Sequence, residues 1–131
     1  MLKKLLYFTS IAEICTGLVL VVSPALVVTL LLGADLSGVG IALGMSFGIT
    51  LLALGVACWP RGPNVQAGSP AFWGMLVYNA LIAILLVDLF AVGHFAGILL
   101  WPAVALHAVV ALILAWMWFD ARRTRPAGDQ T

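Results

Sequence analysis

Apolar residues run along this chain in four long blocks, and the polar positions between them cluster at turns. Leu5–Val22, Leu36–Trp59, Ala71–Val92 and Ile98–Phe119 are each long enough, at roughly 1.5 Å of helix per residue, to cross the hydrocarbon of a bilayer. The first block does not stop at Val22 but continues to Leu32, which as one helix would measure about 40 Å, too long for a span without strong tilt. Ser23-Pro24 interrupts it. Serine suits a helix N-cap and proline the first helical position, so a short separate helix over Pro24–Leu32 is expected, with a single proline-kinked helix as the alternative. Gly33–Gly38 and Gly93–Gly97 read as turns, and Pro60-Arg61-Gly62-Pro63 ends the second span. Ser69 can cap the third helix, with Pro70 as its first residue, and Asp35 reads as a cap in the first turn. Pro102 either begins the regular fourth helix or tilts its first turn.

Within the second span, Gly40, Gly44 and Gly48 recur every four residues and so stack on one helix face. Glycine costs a water-exposed helix about 1 kcal/mol relative to alanine. Such a ladder makes sense where backbones must approach closely, as between packed helices in a membrane. Packing within the bundle is favoured over a homodimer face, and both stay open.

Composition sharpens this picture. Of 131 residues, 64% are hydrophobic and 8% charged, which leaves no stretch for a soluble domain. The expected fold is an all-α integral membrane four-helix bundle over residues 1–121, with a short polar tail at 122–131. Lys3 and Lys4 before an apolar run also resemble a secretory signal, but Pro24 directly follows the plausible cleavage position and the run continues past it. The six basic residues (Lys3, Lys4, Arg61, Arg122, Arg123, Arg125) lie in segments that four spans place on one side. The positive-inside rule then puts both termini in the cytoplasm of a bacterial inner membrane, with Pro24–Leu32 at the outer face. Trp59, Trp73, Trp116 and Trp118 fall at the inner boundary and Trp101 near the outer one. A basic tail this short excludes nucleic acid as a partner and fits an anchor touching anionic lipid. The partners expected are the bilayer and either further copies of the chain or a larger membrane complex. Cys15 and Cys58 differ in depth by roughly 15–20 Å, beyond the reach of a disulfide.

Candidate chemistry sits where the spans turn polar. Counting from the nearer membrane face, Glu13 lies roughly 12 Å deep, Asn79 and His107 roughly 13 Å, and Ser46 roughly 15 Å. Each helix thus contributes one polar residue near the midplane, and Thr9, Thr16 and Gly17 share a face with Glu13. Intramembrane polar groups are costly and warrant a functional hypothesis. Hydrocarbon disfavours a charged Glu13, and His107 could share a proton with it. Such a pair suits proton-coupled exchange or capture of a cationic molecule. The plainer reading is a set of interhelical hydrogen bonds, of about 0.6–2 kcal/mol each, that hold the helices in register. On either reading Glu13 should lie within direct or one-water reach of Asn79 or His107, and Tyr78 should pack in the core with its hydroxyl in the polar layer. Asp88 and His94 are too few for a zinc site, the two histidines are too far apart along the helix axis for haem, and no cofactor is expected. No phosphate loop, CxxC pair or nucleophile set is present.

Gly17-Leu18 followed by Pro24 at the end of the first span, with the chain's size and four spans, resembles DoxX-like and related small bacterial membrane proteins. This similarity of layout covers most of the chain. It implies an inner-membrane bundle, with a place in an oxidoreductase-associated complex for some relatives. Ala12-Glu13-Ile14-Cys15-Thr16-Gly17 is similar, over six residues, to the first helix of small multidrug resistance transporters. That resemblance implies an embedded glutamate exchanging protons for cationic substrates. The chain departs from those transporters in lacking a basic residue near Val21, in its extra segment and in its tail. The function expected is a non-catalytic accessory or assembly subunit, or a homo-oligomeric bundle. A proton-coupled transporter centred on Glu13 is the alternative, and a quinone-associated subunit using His107 is the third.

Overall fold

The computed structural model describes residues 1–62 and 65–124. Pro63 and the tail from 125 to 131, with Arg125, lie outside the described residues. Five helices follow one another without a strand among the described residues: α1 (Leu2–Val22), α2 (Pro24–Leu32), α3 (Gly38–Ala57), α4 (Pro70–Ala91) and α5 (Leu100–Arg123). All but α2 are long and apolar enough to cross a membrane. The chain is therefore a helical bundle built for contact with lipid.

The boundaries follow local chemistry. Ser23 ends α1 and begins α2 at φ −146° and ψ 72°, so the chain breaks there instead of kinking. Its amide closes α1 on the Val19 carbonyl at 2.7 Å, while Pro24 opens α2 with no amide to satisfy. The Ser23 side chain makes no capping bond, so the proline and the backbone angle produce the break. Gly33 ends α2 in the left-handed conformation, where a side chain would be strained. Asp35 does not cap α3; Ser37 holds that position, without a side-chain bond. Ser69 does cap α4, its hydroxyl accepting from the Phe72 amide at 3.3 Å. Pro102 falls in the first turn of α5, where its missing amide would have had no partner in the helix.

The helices associate as two pairs, α1 with α3 and α4 with α5. Glycine controls the first pair. A Cβ on Gly48 would lie 2.8 Å from the Gly17 carbonyl oxygen, and one on Gly17 would lie 2.7 Å from that of Gly48. Further along α3, a Cβ on Gly55 would lie 2.8 Å from the Ser10 carbonyl oxygen, and one on Gly44 would meet the Pro24 side chain of α2 at 2.8 Å. Gly40 faces only Leu36, from its own preceding turn. Backbones therefore approach closely at Gly48 and Gly55, Gly44 packs on the Pro24 ring, and Gly40 of the ladder read from sequence takes no part.

Two joints connect the pairs. At the end where α1 begins and α5 finishes, Leu2 and Leu6 of α1, Cys58, Phe72 and Met75 of α4, and Val110 and Leu114 of α5 form one buried cluster. At the opposite end, carbonyls of α2 accept backbone hydrogen bonds from the α4–α5 turn: Ala96 to Leu32 at 3.1 Å and Leu99 to Leu30 at 2.9 Å. Gly97 sits so close to Leu30 and Leu31 that no side chain would fit there.

Candidate functional site

Between the two joints lies a polar chain. Asn79 is 2% exposed and its amide group donates to the Met75 carbonyl at 2.8 Å. That bond fixes the orientation of the side chain and leaves Oδ1 facing His107 Nδ1 at 2.8 Å. Because Oδ1 can only accept, Nδ1 of His107 carries the hydrogen. Nε2 is then the acceptor nitrogen of the neutral ring. The His107 ring stands edge-on to Tyr78, with centroids 5.7 Å apart and planes at 80°. The Tyr78 side chain also lies near the Glu13 carboxyl, but no hydrogen bond joins the two.

Glu13, 5% exposed, thus belongs to the same layer as Asn79 and His107 but hydrogen-bonds directly to neither. Tyr78 stands between them. Asn79 and His107, grouped by the depth count, are bonded to each other, whereas depth alone carries no information about which side chains lie between them and Glu13. Tyr78 was legible as a polar-layer hydroxyl, and its place between them follows from its position beside Asn79 on α4.

Ser46 does not join this layer. It is exposed, and its hydroxyl donates to the Ala42 carbonyl of its own helix at 2.9 Å. The reason is angular: Ser46 is two residues from both Gly44 and Gly48, so it sits roughly 200° around α3 from the face that meets α1. Thr50, one turn on, likewise bonds back to the Ser46 carbonyl at 3.0 Å. Thr16 is exposed as well, whereas Thr9 is buried and donates to the carbonyls of Leu5 and Leu6. The buried face of α1 runs through Leu6, Thr9, Ser10, Glu13, Gly17 and Leu20.

Ser10 was missed by the sequence reading. It is fully buried one turn from Glu13, and its hydroxyl is unpartnered. Its spacing of three from Glu13 is the signal that places it on that face. Asp88 and His94 are exposed, with His94 in a left-handed turn conformation at φ 54°. No group of three metal-ligating side chains occurs among the described residues. Cys15 is exposed and Cys58 buried, both as free thiols.

Tyr78 also reaches a surface groove. A groove between α3 and α4, of about 480 Å³, is lined by Phe47, Thr50, Leu51, Trp73, Val77 and Tyr78. Tyr78 therefore borders the groove as well as packing against His107. These features define a four-span helical bundle with a buried polar chain and a lateral apolar groove. Comparison of the chain with family models, with curated proteins and with solved structures finds no match in any of the three.

Proposed function

We propose that the chain is a non-catalytic, multi-pass protein of a bacterial inner membrane, with both termini cytoplasmic, serving as an accessory or assembly subunit or as a homo-oligomer. The observation that carries this reading is the closed bonding of Asn79. Both ends of its amide are engaged inside the bundle, on Met75 and on His107, so the residue serves to tie α4 to α5. Depth and chemistry assign the same task to Glu13 and Tyr78 between α1 and α4. The one-sided placement of the basic residues supports the orientation, and the stripe around Gly48 fits a glycine zipper holding α1 to α3.

Chemical crosslinking of the intact chain in membranes, followed by sizing, tests this reading. A defined homo-oligomer or a discrete heteromeric complex is expected. The reading is overturned by a purely monomeric chain that drives substrate-dependent proton flux in proteoliposomes.

Proton-coupled transport is the second reading, and one observation favours it. Glu13 is a buried carboxyl with no cationic partner among the described residues, and the nearby Tyr78 borders an apolar groove between α3 and α4. Proton flux abolished by Glu13→Gln in a chain of unchanged stability would establish it.

A further inference from the structure

A second cavity, of about 660 Å³, lies at the end of the bundle where α1 begins and α5 finishes, at the point where α3 gives way to the loop before α4. Its walls are Trp59 and Pro60 after α3, Gln66 and Ser69 before α4, and Trp118 of α5, with Arg61 at its edge. That volume lies in the range of small-ligand sites. Unlike the groove beside Tyr78, this cavity is polar over much of its lining, and no acidic side chain lines it among the described residues.

Its shape depends on one close approach. Gly68, at φ 95°, lies so near Trp118 that a Cβ would fall 2.8 Å from the indole ring. The loop is thereby laid against the indole, and the opening stays between Trp59 and Trp118. Trp118 also stacks edge-on with Trp73 at 4.8 Å between centroids, which fixes this wall to α4. A second cation lies nearby without lining the cavity: the Arg122 guanidinium is 5.0 Å from the centroid of the Trp118 ring. Neither arginine forms an ion pair among the described residues. The nearest acidic residue in sequence, Asp120, is exposed on α5 and does not line the cavity.

We propose that this cavity is a binding site for the head group of an anionic phospholipid. Three features select that occupant. The positive charge of Arg61 has no acidic partner among the described residues, so an anion suits it. Arginine's planar fork matches phosphate oxygens, and Gln66 and Ser69 offer hydrogen bonds to head-group hydroxyls. The cavity opens among tryptophans at the ends of membrane-length helices, which is the depth of lipid head groups in a bilayer. A soluble anion would find the charge but leave the apolar rim of Ala57, Pro60 and Ala71 uncovered. The glycerol and upper acyl carbons of a lipid would cover it.

Native mass spectrometry of the full chain in detergent, with equal amounts of phosphatidylglycerol and phosphatidylcholine, tests this. One phosphatidylglycerol per chain is expected to be retained in preference to phosphatidylcholine. Arg61→Gln and Arg122→Gln should each lower that retention about fivefold, the effect expected for one basic residue at an anionic surface. Lys4→Gln, a charge removed from the same end but away from the cavity, should leave it unchanged. Thermal melting in phosphatidylcholine alone should be the same for all four proteins, which separates lost binding from lost folding. Equal retention of the two lipids overturns the proposal, as does an effect of Lys4→Gln matching that of Arg61→Gln. Displacement of the lipid by millimolar inorganic phosphate also overturns it, by making the site one for a free anion.

Discussion

Gly17 and Gly48 face each other across α1 and α3 so closely that the carbonyl oxygen of each occupies the place where the other's side chain would begin. No flexible atom lies between them to yield. A side chain at either position must therefore move a helix backbone. Gly48→Leu is expected to destabilise the bundle by at least the 1–3 kcal/mol typical of overpacking. Gly44→Leu should behave similarly, because Pro24 blocks it. Gly40→Ala should be tolerated, since only the end of the Leu36 side chain must shift. Melting temperatures in one detergent would rank the three, and a Gly48→Leu protein that melts with the wild type would refute the contact.

The bond between Asn79 and His107 should appear as a coupling energy. Asn79→Leu and His107→Leu each remove one partner, and the double variant removes both. A double-mutant cycle on thermal or denaturant unfolding should return roughly 0.6–2 kcal/mol, the range for hydrogen bonds between membrane helices. Strict additivity would show that the two side chains do not interact in the folded protein. Ser46→Ala should change stability little, because its hydroxyl bonds only within α3.

Tyr78→Phe separates the two halves of the polar chain. The ring remains to pack against His107, while the hydroxyl near Glu13 is lost. A Glu13→Gln substitution should lower stability in the wild type and have a smaller effect in the Tyr78→Phe background. An undiminished effect would mean that Glu13 relies on another partner.

Orientation is open to direct labelling. Ser37 and Gln66 are both exposed and lie at opposite ends of α3. With the two native cysteines replaced, a cysteine at 37 should react with a membrane-impermeant reagent in intact cells, and one at 66 only after lysis. The reverse pattern would invert the proposed topology.

Much of this architecture is legible in the sequence because lipid imposes a length and a hydropathy on every span. Four spans, the break at Ser23-Pro24 and the cap at Ser69 follow from local chemistry alone. Depth counting also brings Glu13, Asn79 and His107 to one level. It fails for Ser46 because depth says nothing about rotation, and two residues of helix turn a side chain to the far face. The glycine ladder has the same limitation. Gly40 belongs to it by spacing, yet α1 and α2 meet α3 at Gly44, Gly48 and Gly55, a register fixed by where Gly17 and Pro24 come to lie. Ser10 escaped notice because an isolated serine in an apolar helix commonly bonds to its own backbone, and here it does not.

The joint between α2 and the α4–α5 turn is made by main-chain atoms, amides of Ala96 and Leu99 on carbonyls of Leu32 and Leu30. Such bonds do not depend on what the four side chains are. These positions can exchange one apolar residue for another over evolutionary time without loosening the clasp, so no motif will mark it in related sequences. Its vulnerability is confined to changes that act on the main chain. A proline at 96 removes a donor outright, and any side chain at Gly97 holds the turn away from α2. Genetic screens would therefore find this end of the protein tolerant almost everywhere and intolerant at a few sites with no chemistry of their own.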